Sequence, residues 1–376
     1  IEGEFVRLMR KDELFDDIYK KIIYGGSYYK GTRYGKPEEF DLDFIIKLPL
    51  DYAGVEIDTN HQDYGFVKIQ VNRRSQHPIW KKHEKILSKW ITSGGYLDQN
   101  KFRQWMESVF TKTISQLSGS AYYGYEVQFN GRRYSLKHRK SGPAFTLILT
   151  TPDGSIIDVD LVPALEFDDT PLGNGYRHFT GYRRNWLVVA KPFKDAVQSN
   201  NILWRLCFYE QEKEFLEGDV KPVIRMMKMF RDTQGFHQIC SYFIETIFYH
   251  MIENEHEFKL EFVRAPKTSL FIKALRNLEN ALKNAWLPYF WHPQYNLLGK
   301  INRATLKNWA GRMNQIISTL EKGIDNDPYI LADIVVGRAE GQKLRKLERQ
   351  GAILEESMAD LHISPSQESP SWCTLS

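Results

Sequence analysis

Only three cysteines, Cys207, Cys240 and Cys373, occur in the 376 residues. So small and widely spaced a set supports neither a disulfide framework nor a cysteine-based zinc site, and it suits a reducing compartment. Long apolar runs are missing too. The oiliest stretches, such as Phe145–Thr150 and Ile330–Val336, fall far short of the roughly 20 residues that cross a bilayer as a helix. No membrane span is expected. The opening IEGEFVRLMRK is charged from its second residue and offers no apolar signal region, so a cytoplasmic rather than secreted protein is expected, with a processed or trimmed start in place of an initial Met. Nor is there a large excess of charge of one sign: 51 Lys and Arg face 47 Asp and Glu, a net +4.

What is present is core material and clustered charge. Hydrophobic residues make up 42% of the chain and aromatics 14%, which excludes wholesale disorder. The length suits about two domains or one two-lobed unit. Basic residues bunch at Arg73–Arg74, Lys81–Lys82–Lys85–Lys89, Arg132–Arg133, Lys137–Arg139–Lys140 and Lys221–Arg225–Lys228; acids bunch at Glu38–Asp43, Asp158–Asp169 and Glu210–Glu217. Taken singly, each basic group reads as a solvated face; a nucleic-acid surface needs several of them together.

Periodicity divides the chain into two textures. Phe5, Leu8, Met9, Phe15, Ile18, Tyr19 and Ile22 predict one opening helix over Glu4–Ile23. PEEFDLDFIIKLPL reads as a strand ending at Pro49, with further strands over Phe66–Val71 and Tyr122–Phe129 and two helices between His77 and Ile114 broken at Ser93-Gly94-Gly95. AFTLILTTPDGSIIDVDLVPAL is a hairpin by its Pro152-Asp153-Gly154 turn. Beyond Gly181 helices are predicted over Asn201–Leu216, Pro222–Thr233, Phe236–Asn254, Ser269–Lys283 and Ala304–Glu321. The expected fold class is α+β: a mixed sheet in a first lobe over 1–180, a helical second lobe over 181–336, then a charged helix and a tail over 337–376 too polar to order.

The chemistry concentrates in two acidic strands. Glu39, Asp41 and Asp43 recur every second position, so on a strand they leave one face, and Asp158 and Asp160 do the same on the hairpin. An exposed polar face is the commoner reading of alternating acids. Here the flanking residues are strongly apolar and two strands share the pattern, so a divalent cation, magnesium by preference, is the economical neutraliser. Upstream, Gly25-Gly26-Ser27 can bring backbone amides and a hydroxyl close to a phosphate. By itself GGS is an ordinary turn; its spacing to Glu39 and Asp41 raises its weight. GTRYGKP fails as a Walker A loop, and neither GxGxxG nor HExxH occurs.

GGS, then EFD on the next strand, then VD on a later hairpin strand, resembles the nucleotidyltransferase core shared by cyclic GMP-AMP synthase and oligoadenylate synthase. Trp204–Leu216, MMKMF (Met226–Phe230) and SYFIETIFYH (Ser241–His250) resemble the Mab-21 lobe of cyclic GMP-AMP synthase, and the similarity runs from Gly25 to Ile334. The resemblance implies a bilobal, polymerase-beta-like catalytic lobe with an N-terminal spine helix and a Mab-21-type helical lobe. It implies that Glu39, Asp41 and Asp160 hold two magnesium or manganese ions, and that Gly26 and Ser27 contact the donor triphosphate. Arg205 would touch a base, Lys228 and Ser241 the phosphates, and Tyr242 would stack on a nucleobase. Asp43 and Asp158 lie outside the pattern. Cys207 and Tyr209 stand where the family enzyme has serines near the base, which opens the purine preference.

The segment EKEFLEGDVKPVIRMM joins two helices with no zinc loop between them. That resembles the insect-type cyclic GMP-AMP synthase-like receptors, so no zinc is expected, and the implied activator is double-stranded RNA in preference to double-stranded DNA. The implied activity is an innate immune one: ATP and GTP become a cyclic dinucleotide by attack of a ribose hydroxyl on an α-phosphate, in a cytoplasmic enzyme that dimerises with its ligand. Lys81, Lys82, Lys85, Lys221 and Arg225, together with Lys89 and the opening helix, are the candidate duplex platform, with Lys221 and Arg225 facing outward. Two other classes share these motifs: an oligoadenylate synthase-like enzyme making linear chains, and a non-catalytic Mab-21 binding protein.

Overall fold

The computed structural model describes residues 2–59, 65–72, 75–120, 122, 124–168, 172–173, 175–178, 185–192, 201–216, 218–255, 259–327 and 329–360. Arg73–Arg74, Asp169, Gly181, Cys373 and most of the polar tail lie outside the described residues. In chain order the first half runs α1 (Glu4–Met9), α2 (Glu13–Ile18), β1 (Tyr19–Gly25), α3 (Gly26–Lys30), β2 (Glu39–Ile46), β3 (Val55–Asp58), β4 (Phe66–Val71), α4 (Pro78–Leu87), α5 (Gln99–Ile114), β5 (Ser118–Ser120), β6 (Gly124–Phe129), β7 (Arg132–Ser141), β8 (Ala144–Thr150) and β9 (Ile156–Phe167). The second runs β10 (Trp186–Val189), β11 (Leu203–Cys207), α6 (Tyr209–Phe215), α7 (Val220–Thr233), α8 (Ser241–Asn254), α9 (Lys259–Val263), α10 (Lys267–Asn284), β12 (Pro288–Tyr289), β13 (His292–Asn296), α11 (Arg303–Gly323), α12 (Ile330–Val336) and α13 (Arg338–Asp360). The α+β class holds, and no helix among the described residues is long and apolar enough to cross a membrane.

A large mixed sheet carries the first half. Its order is β3-β4-β11-β10-β9-β8-β7-β6-β5, with β1 and β2 added on the other side of β9. The β2–β9 pairing is parallel, whereas the other pairings in this sheet are antiparallel. Parallel strands buried on both faces read as continuous apolar runs, and Phe44, Ile45 and Ile46 are all fully buried. One face of β2 packs Phe44 edge-on to Phe110 of α5, at 5.5 Å between ring centres. Its other face sets Ile45 with Ile23, Ala164, Leu187 and Tyr209.

Three expected helices differ. The opening helix is two short ones: Asp12 caps α2 by accepting from the Phe15 N–H, and Tyr19–Gly25 is a strand paired with β2. Pairing with β2 along Tyr19–Gly25 outweighs the helical spacing. Asn201–Leu216 is not one helix. Leu203–Cys207 forms β11 between β10 and β4, burying Trp204 and Leu206 on one face, and the helix starts only at Tyr209. Short apolar runs are ambiguous between helix and strand, and pairing on both sides, with β10 and with β4, decided this one. Likewise α8 begins at Ser241, not Phe236, whose ring is buried in the preceding turn.

Between the sheet and the second-half helices lies a buried ionic network. The Lys30 ammonium donates to Glu212 Oε2 at 3.0 Å, Glu245 Oε2 at 3.0 Å and Tyr249 Oη at 3.2 Å. Lys228 donates to Glu245 Oε1 at 2.7 Å and to Thr32 O and Oγ1 at 3.1 Å. Glu212 also accepts from Tyr242 Oη and Trp291 Nε1. Two ammoniums and two carboxylates balance, so the group is buried without net charge. Burial pushes the Glu245 carboxyl up, but Lys30 and Lys228 overcome that and hold it at about 2.

Because that value is depressed below the ordinary 4.5, the stabilisation it confers is present above pH 4.5 and is lost as pH falls toward 2. Glu245→Gln is expected to lower unfolding free energy by about 3–5 kcal/mol at neutral pH. In denaturant titrations the gap between wild type and variant should close as pH falls below 4.5; a gap constant from pH 7 to 3 would refute the assignment.

Candidate metal and nucleotide site

The parallel register of β2 and β9 pairs Glu39 with Asp158 and Asp41 with Asp160. Along β2 the acidic face passes from exposed Glu39 through half-buried Asp41 to buried Asp43. Among the described residues, Glu39, Asp41 and Asp160 form the one group of three potential ligands whose donor atoms all lie within 4.8 Å of one another. Asp43 sits deeper, and Asp158 is engaged by Arg139 Nη2 at 2.7 Å.

Asp41 lies between the other two carboxylates of the cluster, and that proximity raises its cost of ionisation. Burial, then Glu39, then Asp160 push the Asp41 carboxyl up to about 6, against a smaller opposing pull from Arg33. Asp43 is pushed to about 7 by burial, Asp41 and Glu210. Arg33 lies 3.7 Å from Glu39 Oε2 and donates to the Glu39 carbonyl, and Thr146 Oγ1 donates to Asp160 Oδ1 at 2.5 Å. Arg33 at the rim offsets only part of the cluster's negative charge. The donor set, three carboxylates with an elevated Asp41, fits a hard divalent cation with oxygen ligands.

The GGS turn is built onto this cluster. Gly25 stands opposite Asp41 in the β1–β2 register, and Gly26 opens α3 with φ +70°. A Cβ at Gly26 would overlap the Asp41 carboxylate, so close approach and a left-handed φ both demand glycine. Ser27 follows, half-buried, in the first turn of α3.

The other sequence-derived residues are less uniformly placed. Arg205 lies on β11, its guanidinium 5.3 Å from the Phe66 ring centre and 5.7 Å from that of Tyr289. Tyr242 is half-buried, bonded to Glu212. Ser241 accepts from Arg231 at 3.2 Å. Lys228 is 2% exposed and committed to Glu245 and Thr32. Arg225 does not face outward: it donates to the Gly31 carbonyl at 2.6 Å, and the Lys221 stem lies close beside Gly31. That stripe of α7 docks the segment after the GGS turn, because the carbonyls left open at the end of α3 need donors. On α4, Lys81 and Lys85 are exposed, as is Lys89 in the turn that follows, whereas Lys82 pairs with Asp17 at 2.7 Å. Lys30, Thr32, Arg33, Glu212 and Glu245 were not legible as site neighbours; none belongs to a short motif, and only contacts across the two halves reveal them.

Residues 28–218 match the Mab-21 protein nucleotidyltransferase domain, and residues 219–315 match the Mab-21 protein HhH/H2TH-like domain. A cyclic GMP-AMP synthase-like receptor of Trichogramma pretiosum is 41% identical over 91% of this chain and 71% of its own length. One from Microplitis demolitor is 37% identical over 91% of this chain, which spans 64% of that protein. One from Aethina tumida is 32% identical over 90% of this chain and 84% of its own.

Gly26→Ala is expected to weaken Mn2+ binding about tenfold or more, because the Asp41 carboxylate must swing aside, and to destabilise by about 1–3 kcal/mol. Gly35 also has positive φ, +85°, but open space around its Cβ position. Gly35→Ala should therefore lose stability and keep Mn2+ affinity. Calorimetric titration checks both; equal Mn2+ affinity in the two variants would contradict the contact.

Proposed function

The chain belongs to the Mab-21 nucleotidyltransferase family, and from that premise we propose that it is an innate immune sensor that makes a cyclic dinucleotide from ATP and GTP when double-stranded RNA binds. The observation that carries the reading is the carboxylate cluster of β2 and β9 set directly against the glycine-serine turn. Glu39, Asp41 and Asp160 are the residues that would hold two divalent ions, magnesium or manganese. Bound there, the ions supply charge for the triphosphate and for the departing pyrophosphate, and lower the pKa of the attacking ribose hydroxyl.

The protein's own groups do the rest. Asp160, oriented by the Thr146 hydroxyl, accepts the proton from the attacking hydroxyl. Gly26 and Ser27 cradle phosphate oxygens with backbone amides and one hydroxyl. Arg205, planar and flanked by aromatic rings, suits a base edge, and Ser241 and Tyr242 line the acceptor side with Lys228 beneath them. A second transfer onto the linear dinucleotide closes the ring.

For the activator, the exposed Lys81 and Lys85 of α4 and Lys89 just beyond it are the platform, next to the opening segment to which Lys82 ties α4 through Asp17. A duplex lying there is read by phosphate charge and A-form shape rather than by base sequence. Arg225 and Lys221 contribute only if they release Gly31, which would couple RNA contact to the segment behind the GGS turn. The cytoplasm and a ligand-induced dimer complete the reading.

Incubation with labelled ATP and GTP, Mg2+ and long double-stranded RNA is expected to yield a phosphatase-resistant cyclic product, with little product without RNA. Glu39→Ala combined with Asp41→Ala should fold and make none. Linear ATP-derived oligomers would instead indicate the oligoadenylate type, and absence of pyrophosphate release under every nucleic acid would indicate a binding module. Lys81→Glu with Lys85→Glu should raise the RNA concentration needed for half-maximal activity by about tenfold, from two lost phosphate contacts. An unchanged RNA response would remove α4 from the platform.

A further inference from the structure

The short helix that carries Gly26 and Ser27 is gripped at both ends by one face of α6. Tyr209 and Glu212 are one turn apart on that helix. At the near end the Tyr209 hydroxyl donates to the Gly26 carbonyl at 3.4 Å. At the far end Glu212 takes the Lys30 ammonium at 3.0 Å, joined by Glu245 from α8. The two ends are also tied to each other, since the Lys30 ammonium lies 5.2 Å from the centre of the Tyr209 ring. Lys30 is 5% exposed, and Glu212 and Glu245 are buried as well. A five-residue helix has too few internal hydrogen bonds to hold its own orientation, so external contacts set it.

We propose that Lys30 and Tyr209 are positioning residues for nucleotide transfer: with Glu212 and Glu245 they clamp α3 at both ends and thereby set where Ser27 and the Gly26 turn lie against Asp41. Neither residue touches the three carboxylates; they act through α3. The inference rests on the nucleotidyltransferase reading and adds a mechanical requirement to it. Gly26 has no slack toward Asp41, so a small rotation of α3 either drives its backbone into that carboxylate or withdraws the turn from the bound phosphates. Misplacement of that kind costs turnover more than substrate binding.

Lys30→Met alone would leave two carboxylates with one ammonium, a buried charge imbalance that destabilises for a trivial reason. Lys30→Met with Glu212→Gln removes one charge of each sign and leaves the Lys228–Glu245 pair whole, with an amide oxygen at 212 to accept from Tyr242 and Trp291. In this pair, hydrogen exchange of the α3 amides is expected to quicken about tenfold while α7 and α8 keep their protection. Its kcat is expected to fall about tenfold or more with KM little changed, and Lys30→Arg should keep most of the wild-type kcat. Tyr209→Phe retains the ring over Lys30 and loses one hydrogen bond, so its kcat should drop about threefold with an unchanged thermal midpoint. Wild-type exchange in α3 of the pair, or wild-type kcat in both the pair and Tyr209→Phe, would overturn the clamp. Failure of the wild-type protein to release pyrophosphate under any condition would instead sink the functional reading, and the exchange data would still decide the clamp.

Discussion

The parallel pairing of β2 with β9 is the constraint from which the site follows. Side chains alternate with a period of two, so the register that sets Asp41 beside Asp160 also sets Glu39 beside Asp158 and buries Phe44 and Ile46 on the opposite face. A slip by one residue would turn the carboxylates into the aromatic core and the core residues toward the cleft. Burial of Phe44 against Phe110 therefore holds the acidic cluster together as firmly as it holds the sheet. The repulsion among the carboxylates, visible in the raised Asp41, is tolerated because that apolar packing pins the strands.

A second constraint joins the two halves of the chain. The segment from Gly26 to Tyr34 lies between the sheet and α7, α6 and α8, and several of its polar groups are taken by the other half. Arg225 holds Gly31, Lys228 holds Thr32, Tyr34 bonds Asp232, and Lys30 is shared by Glu212 and Glu245. A neutral, fully bonded group of this kind is costly to open in part, which favours a discrete change of state over gradual flexing. Displacement of Arg225 or Lys228 on α7 has a direct mechanical route to the segment behind the Gly26 turn.

Much of this was readable from the chain. The acidic strand, the PDG hairpin, the paired helices over His77–Ile114 and the α7 and α10 helices carry strong local signals, namely period-two acids, turn chemistry and helical spacing. The same alternation that marked Glu39 and Asp41 also marked Asp43, and only burial separates the cluster members from the deeper neighbour. Where local patterns misled, a neighbour supplied the decision. LWRLC pairs between two strands distant in sequence, and YKKIIYG pairs with the acidic strand. The basic spacing of Lys221, Arg225 and Lys228 correctly placed them on one helical face, yet that face meets the backbone after the GGS turn rather than solvent.

What the amino-acid order settles by itself is the inventory and local direction of the chemistry: which strands carry carboxylates, where glycine permits a tight turn, and which helices have one apolar side. Those are properties of spacing and of backbone freedom, set within a few residues. Tertiary structure alone decides which carboxylates meet, that Lys30 and Glu245 neutralise one another 215 positions apart, and that Lys228 is sealed within the protein. Such pairings depend on desolvation and on closure of long loops, and neither quantity is written in any short stretch of sequence.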